Sequence, residues 1–199
     1  MDTRFSPQSA KVGILHPGNM GGTIARGLEG SGHQAHWASS GRSVKTAARA
    51  EEFHLIDLGS VERLIDECDI IFCIVNGGSM YEYVDLAIER DFDGIWVDCN
   101  GLWGEESEVE LAEKAAAGKF RYVEAGLYGW PHPGLEGFTD EHTLYLSGDG
   151  SDEVGALFTC GYWTVIFTED LKDQMTAKAY KRKRNEAERA DNIAKGLAV

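Results

Sequence analysis

Residues 12–22 read VGILHPGNMGG, an apolar run that ends in a glycine-rich turn. The run predicts a buried strand, and Ile24, Ala25 and Leu28 on one face of the following segment predict a helix. Glycines permit a tight turn between the two and a close approach of the backbone to a pyrophosphate, which the helix N-terminus attracts. This order of elements predicts the first βαβ unit of a dinucleotide-binding fold. A strand-to-helix turn without a nucleotide is the alternative.

Apolar runs and helical patterns alternate along the rest of the chain, which is typical of βαβ units around a parallel sheet. Residues 69–75 (DIIFCIV) are apolar almost throughout, so we expect them at the centre of the sheet. Ser60 is a candidate N-cap, and residues 126–140 are predicted to be irregular. The predicted strands are 11–15, 34–39, 55–57, 69–75, 94–98, 120–124, 143–147 and 163–168. The predicted helices are 19–31, 43–52, 60–68, 79–90, 105–117 and 151–159.

The predicted fold class is α/β, with a Rossmann-type doubly wound, mostly parallel sheet followed by a C-terminal helix. Residues 1–168 are expected to form an NAD(P)-binding Rossmann domain. Residues 169–199 are expected to form a helical tail. The tail differs in charge, because residues 172–199 hold eight basic and four acidic side chains in a chain of net charge −14.

The composition argues against several classes of protein. A net charge of −14 opposes nucleic-acid binding, which needs a basic face to neutralise phosphates. No apolar stretch is long enough to cross a bilayer, and residues 1–10 lack the apolar segment of a signal peptide. The four cysteines have no CxxC spacing, so we expect buried free thiols, no metal site and a reducing, cytoplasmic compartment.

The end of the second predicted strand indicates which dinucleotide binds. An NAD site usually has an acidic residue there to bind the ribose 2′-hydroxyl. This chain reads SSGRS at residues 39–43, and no acidic residue lies between that stretch and Glu51. Arg42 offers a guanidinium group to a 2′-phosphate, and Ser40 and Ser43 add hydroxyl groups. The pattern favours NADP, with NAD as the alternative cofactor and an exposed loop arginine as the alternative role of Arg42.

Five stretches resemble the β-hydroxyacid dehydrogenase/6-phosphogluconate dehydrogenase superfamily, and more narrowly a branch whose turn reads PGxMG. The resemblance covers about residues 11–168, and His16 stands where the first glycine of the fingerprint is usual. The stretches are VGILHPGNMGGTIARGLEGSGH (12–33), GRS (41–43), DIIFCIVNGG (69–78), VDCNG (97–101) and RYVEAGLYGWPHPG…HTLYLSGDG (121–150).

The resemblance implies which residues bind the cofactor and the substrate. The cofactor residues lie on the phosphate turn, on the 2′-phosphate turn and on the loop after the fourth strand. They are Gly18, Asn19, Met20, Gly21, Ser40, Arg42, Ser43, Val75, Asn76 and Gly77. The substrate residues are Asn100, which stands where better-known members have a serine, and Tyr128, Gly129 and Trp130, which stand on a Ser–Gly–Gly loop. Tyr128 and Trp130 are far bulkier than the serine and glycine usual there, which argues against an ordinary 3-hydroxy acid.

The resemblance also implies the chemistry. Members of the superfamily move a hydride between C4 of nicotinamide and an alcohol or carbonyl carbon, and a lysine on the helix that leaves the Rossmann domain handles the proton. Lys178 is the candidate, with Asn100 as its catalytic partner. Lys181 is the second candidate because Lys181 and Asn185 keep the Lys-x-x-x-Asn spacing. A solvated basic face is the other interpretation of residues 178–184.

Two functions of different class follow from the sequence. The first is an NADP-dependent oxidoreductase that acts on a small hydroxy acid or a related carbonyl or imine substrate. The second is an NADP(H)-binding module without turnover, such as a redox sensor. The resemblance further implies that residues 169–199 are the start of a truncated or absent C-terminal helical domain. Because the helix that leaves the Rossmann domain would then expose apolar surface, we also expect a homo-oligomer. The expected partners are a small-molecule substrate and further copies of the chain, with neither nucleic acid nor membrane.

Overall fold

Strands and helices alternate along this protein. Its structure, a computed structural model, describes residues 6, 8–75, 78–101, 105–129, 142–161, 163–168, 184–191 and 195. The strands are β1 (Val12–Ile14), β2 (Ala35–Trp37), β3 (Ile56–Asp57), β4 (Ile70–Cys73), β5 (Ile95–Asp98), β6 (Arg121–Tyr128), β7 (His142–Gly148) and β8 (Trp163–Phe167). The helices are α1 (Asn19–Gly30), α2 (Val44–Glu52), α3 (Val61–Glu67), α4 (Ser79–Glu89), α5 (Glu105–Ala115) and α6 (Ser151–Gly155). Residues 184–191 are also helical.

The described strands form one sheet in the order β3-β2-β1-β4-β5-β6-β7-β8. All neighbouring pairs are parallel except β6 and β7, which are antiparallel. The first six strands have the order of a dinucleotide-binding Rossmann sheet. The chain reverses its direction of winding between β1 and β4, and ligands of such sheets bind in the crevice outside the carboxyl ends of the strands at that point. The predicted fold class is confirmed.

The core lies on both faces of the sheet. Strand β4 lies between β1 and β5, and all four of its side chains are buried. A parallel strand covered by helices on both faces needs apolar residues at every position, so the prediction that residues 69–75 are central is confirmed. Phe72 packs on one face with Ile14 and Leu28, and Ile71 packs on the other with Trp96.

Local signals in the sequence set several boundaries. Ser60 is the N-cap of α3, as predicted, and its Oγ accepts a hydrogen bond from the backbone N–H of Arg63 at 3.3 Å. Ser43 caps α2 in the same way, with Thr46 as the donor at 3.2 Å.

Cys68, Cys73 and Cys99 are buried free thiols, as expected. No helix in the described part of the chain is both long and apolar enough to span a bilayer.

The prediction of an irregular segment from residue 126 onwards is wrong for its first three residues. Strand β6 continues to Tyr128 because β7 pairs with it, bringing Gly126 opposite Tyr145 and Tyr128 opposite Thr143. Glycine at 126 weakens the local preference for a strand, and pairing with residues of β7 about twenty positions away compensates for that weakness. Residues 130–141 lie outside the described part of the chain.

Helix α1 packs unusually closely against β8 at Gly27. A Cβ atom on Gly27 would lie 2.3 Å from Nε1 of Trp163 and 3.0 Å from the ring of Phe158. The two rings pack on each other with centroids 5.0 Å apart, so neither is free to move away. The absence of a side chain at Gly27 therefore fixes the distance between this helix and the sheet.

We expect Gly27→Ala to lower the free energy of unfolding by about 2 kcal/mol. Overpacking a rigid contact costs about 1–3 kcal/mol, and we expect a cost near the upper end of that range here. This cost exceeds the gain of about 1 kcal/mol that alanine brings over glycine in a helix. Urea unfolding followed by circular dichroism measures the change. Gly161→Ala is the matched control, because a Cβ there meets nothing within 4 Å. Equal stability of the two variants would contradict the contact.

Candidate functional site

The phosphate turn connects β1 to α1 at the point where the sheet reverses. Gly18 is the N-cap of α1, and its backbone N–H donates to the carbonyl of His16 at 2.8 Å. The backbone N–H groups of the first helical turn, at Asn19, Met20 and Gly21, have no acceptor within a helix. No acidic residue lies in this turn to compete for them. The turn therefore presents N–H groups and the positive end of the helix dipole to an anion.

Gly21 is required by the shape of the turn. A Cβ atom there would lie 2.2 Å from the carbonyl oxygen of His16 and 3.1 Å from Cγ2 of Ile74. The first of these atoms belongs to the backbone and cannot rotate away, so any larger residue would open the turn. This contact accounts for the last glycine of the fingerprint in physical terms.

The second turn, between β2 and α2, carries Arg42. Gly41 has a φ of +72°, which turns the chain back towards the crevice. The Arg42 guanidinium then crosses to the end of β1, where Nη2 donates to the carbonyl of Leu15 at 2.9 Å and to the Tyr83 hydroxyl of α4 at 3.4 Å. Its Nε is buried and has no hydrogen-bond partner in the part of the chain that the structure describes. Arg42 is thus partly buried across the crevice, which differs from the alternative of an exposed loop arginine.

His16 joins the two turns. Its Nε2 lies 3.5 Å from Oγ1 of Thr46, which lies 3.1 Å from Oγ of Ser43. Burial lowers the pKa of His16 below its ordinary value, and the charges of Arg42 and Arg49 lower it further. In the sequence, His16 stands out only as a departure from the glycine usual in the motif. A polar side chain at that position is the signal that points to a contact with the second turn.

Other predicted cofactor residues surround these two turns. Asn19 begins α1, and its Oδ1 accepts a hydrogen bond from Arg49 of α2. Met20 packs against the core, and Ser40 is exposed, with its backbone N–H bonded to the carbonyl of Gly59 at 2.8 Å. The predicted residues Asn76 and Gly77 lie outside the described part of the chain, as do Trp130, Lys178 and Lys181.

Asn100 is buried at the carboxyl end of β5, where it binds other parts of the protein. Its Oδ1 accepts the backbone N–H of Val75 at 2.7 Å, and its Nδ2 donates to the Cys73 carbonyl at 3.1 Å and to Asp98 Oδ1 at 2.6 Å. The Tyr122 hydroxyl donates to the other Asp98 oxygen at 2.8 Å. Burial raises the pKa of Tyr122, and the Asp98 carboxylate raises it further, so this phenol stays a donor. Asn100 therefore fixes the start of the loop after β4.

Tyr128 meets the helical segment 184–191 across strands β6 and β7. Its hydroxyl donates to Glu188, and the Arg184 guanidinium carbon lies 3.9 Å from the centre of its ring. Nη1 of Arg184 also donates to the Tyr145 hydroxyl at 2.8 Å and to Thr143 Oγ1 at 3.2 Å. Burial raises the pKa of Tyr128, and the hydrogen bond to Glu188 raises it further. The segment, exposed along its length, is held to the sheet by polar contacts.

We expect Asn100→Ala to lower the free energy of unfolding by about 1–3 kcal/mol, because the substitution leaves the Val75 N–H without its acceptor and removes one of the donors to Asp98. Chemical denaturation measures the loss. Asn185→Ala, in an exposed helical position, is the control and is expected to stay within about 0.5 kcal/mol of the wild type. A fully stable Asn100→Ala protein would contradict the positioning role and favour direct contact with substrate.

Comparisons with known proteins agree with this geometry. Residues 11–99 match the family model described as NADP oxidoreductase, coenzyme F420-dependent. No curated protein matches the sequence at a significant level.

Three solved structures show the fold. One is a conserved protein of unknown function described as structurally similar to 3-hydroxyacid dehydrogenases (TM-score 0.70, 21% identity, 89% of this chain and 64% of that chain). Another is an imine reductase variant from Myxococcus stipitatus in complex with NAD+ (TM-score 0.66, 15% identity, 94% and 63%). The third is a reductive aminase from Aspergillus terreus in complex with NADPH and ethyl levulinate (TM-score 0.65, 18% identity, 93% and 63%).

The chain spans less than two thirds of the length of these three structures. At identities below 25%, these structures show a shared fold. That fold agrees with the resemblance to the β-hydroxyacid dehydrogenase/6-phosphogluconate dehydrogenase superfamily, and residues 11–99 match the model of the coenzyme F420-dependent NADP oxidoreductase family.

Proposed function

We propose that this chain is the NADP-binding part of an oxidoreductase that transfers a hydride between nicotinamide and the carbon of a small hydroxy acid, carbonyl or imine compound. The observation that carries the proposal is Arg42, whose guanidinium lies across the crevice beside the phosphate turn with a buried, unpartnered Nε. A buried donor without an acceptor is costly, and an anionic ligand would supply the acceptor.

The residues present fit a phosphorylated dinucleotide. The close contact between Gly21 and the His16 carbonyl leaves room for a pyrophosphate over the N–H groups of α1. Arg42 and the hydroxyl of Ser43 lie on the neighbouring turn, where a 2′-phosphate is expected, and Ser40 is exposed beside them. The family matched by residues 11–99 is named for NADP, and the reductive aminase of the same fold was solved with NADPH. These features support NADP over NAD.

The bound nicotinamide would supply the hydride chemistry, and the chain would orient it. Asn100 holds the backbone of Val75, so the loop that borders the expected nicotinamide position starts from a fixed point. Strand β6 ends at Tyr128, and Gly129 follows it, on the expected substrate side. The proton donor stays a prediction at Lys178, with Lys181 as the second candidate.

A second function, NADP(H) binding without turnover, is favoured by one observation. Asn100, the predicted catalytic partner, has both ends of its amide bound within the protein. A group engaged in this way stabilises the site without contacting a substrate. The same cofactor half would then serve as a sensor of the NADPH level.

Titration calorimetry with NADPH and NADH tests the cofactor. We expect tighter binding of NADPH, and we expect Arg42→Ala to weaken NADPH binding about tenfold or more while NADH binding changes little, because a hydrogen bond to a charged group contributes about 1.5–3 kcal/mol. Arg63→Ala is the control, since Arg63 is exposed on α3 and pairs with Glu67. Equal affinities of the wild type for NADPH and NADH would contradict the proposal.

Turnover distinguishes the two functions. NADPH absorbance is followed with 2-oxo acids, with cyclic imines, and with ketones mixed with an amine. Loss of absorbance that depends on one of these compounds, and that Lys178→Ala or Lys181→Ala abolishes, would support the oxidoreductase. Tight NADPH binding with no turnover of any compound would favour the binding module.

A further inference from the structure

His16 occupies the position where the dinucleotide fingerprint usually has its first glycine. A glycine there contributes no side chain to the site, whereas the His16 ring extends from the phosphate turn to α2. Its Nε2 lies 3.5 Å from Thr46 Oγ1, and Ser43 Oγ lies 3.1 Å from the same threonine oxygen. The ring also packs beside Gly18, where a Cβ atom would lie 3.0 Å from Nδ1. His16 is therefore fixed between the pyrophosphate turn and the turn that carries Arg42.

Two positive charges act on the His16 ring. Arg42 comes from the turn after β2, and Arg49 comes from α2, where it also binds Asn19 at the start of α1. Partial burial and these two charges disfavour the imidazolium, so that the pKa of His16 in the free protein lies below its ordinary value. Three basic side chains are thus gathered around two anion-binding turns in a chain of net charge −14.

We propose that His16 is a ligand of the 2′-phosphate of the cofactor and takes up a proton from solvent when that phosphate binds. The inference rests on the proposed preference for NADP. A phosphate placed between the two turns adds negative charge beside a ring on which the positive charges of Arg42 and Arg49 act in the free protein. This reverses the local potential and favours the imidazolium, which donates from Nε2. The buried Nε of Arg42, which has no hydrogen-bond partner among the described residues, is a second donor for the same ligand.

The sign of the pH dependence of NADPH affinity follows from this uptake of a proton by His16. His16 has a lower pKa in the free protein than in the complex, so the gain in affinity is complete below the free-protein value and is lost as the pH rises through the value in the complex. NADH lacks the 2′-phosphate, and the effect of the pyrophosphate that both cofactors carry cancels in the ratio of their dissociation constants. The ratio of NADH to NADPH dissociation constants is therefore larger at pH 6.5 than at pH 8.5.

The test compares wild type with His16→Asn, which keeps a polar side chain but cannot take up a charge. Dissociation constants for NADPH and NADH are measured between pH 6.5 and 8.5 by calorimetry, in two buffers of different ionisation enthalpy so that proton uptake is counted. We expect the wild-type ratio to rise about three- to tenfold towards pH 6.5, since one unit of pKa shift corresponds to a tenfold change. We expect a flat or declining ratio for His16→Asn.

Two controls isolate His16. The 2′-phosphate itself gains a proton near pH 6, which weakens binding at low pH, but this effect is common to both proteins and cancels in their comparison. His33→Asn removes another histidine whose pKa burial lowers. His33 follows the C-terminal end of α1, a helix of about 18 Å in length, and is expected to leave the pH dependence unchanged.

The outcomes separate the inference from the proposed function. Tighter NADPH binding with the same pH slope in wild type and His16→Asn would overturn the inference alone. Equal binding of NADPH and NADH at every pH would overturn both. NMR of the full-length wild type with and without 2′,5′-ADP gives a reading that does not depend on the variant's folding. A higher pKa of the His16 ring in the complex supports the proposal, and an unchanged one overturns it.

Discussion

The contact between Gly21 and the carbonyl of His16 is the constraint on which the site depends. It brings the first turn of α1 against the end of β1, so the free N–H groups of the helix open into the crevice between β1 and β4. The same closeness holds α1 against the core through Ile24 and Leu28. A wider turn would separate the helix dipole from the crevice and uncover apolar surface at once. Anion binding and folding therefore need the same glycine.

The positive charges of the site, on Arg42 and Arg49, are opposite in sign to the net charge of the chain. A protein with net charge −14 repels a dinucleotide at long range, and the Debye length of about 8 Å at physiological salt confines that repulsion to the surface. Close to the two turns, Arg42 and Arg49 make the electrostatic potential positive. Because Arg42 crosses the crevice to the carbonyl of Leu15, its charge lies over the site before any ligand arrives. Less side-chain entropy is then lost on binding than for an arginine free in solvent.

The sequence predicts those features that depend on neighbouring residues. The capping role of Ser60 and the burial of Ile70–Cys73 follow from local chemistry, and both are confirmed. Features that depend on distant partners could not be predicted. Strand β6 reaches Tyr128 only because β7 pairs with it, and Asn100 turns inwards because Cys73 and Asp98 surround it at the ends of neighbouring strands. The spacing of a motif identifies a residue type at a position and leaves its hydrogen-bond partners open.

The cofactor half and the substrate half of the expected site differ in how they are built. The first comes from two glycine turns whose shape residues 12–43 define, and contacts with Thr46, Arg49 and Tyr83 complete it. The second joins Tyr128 to Glu188 across 60 residues, and a single stacked guanidinium, that of Arg184, links the helical segment to two strands. Polar contacts at an exposed surface stabilise weakly. The cofactor site thus forms with the Rossmann fold itself, whereas the wall beside Tyr128 depends on how firmly residues 184–191 are held. A change in substrate would consequently arise more readily from substitutions in that segment than from changes in the phosphate turn.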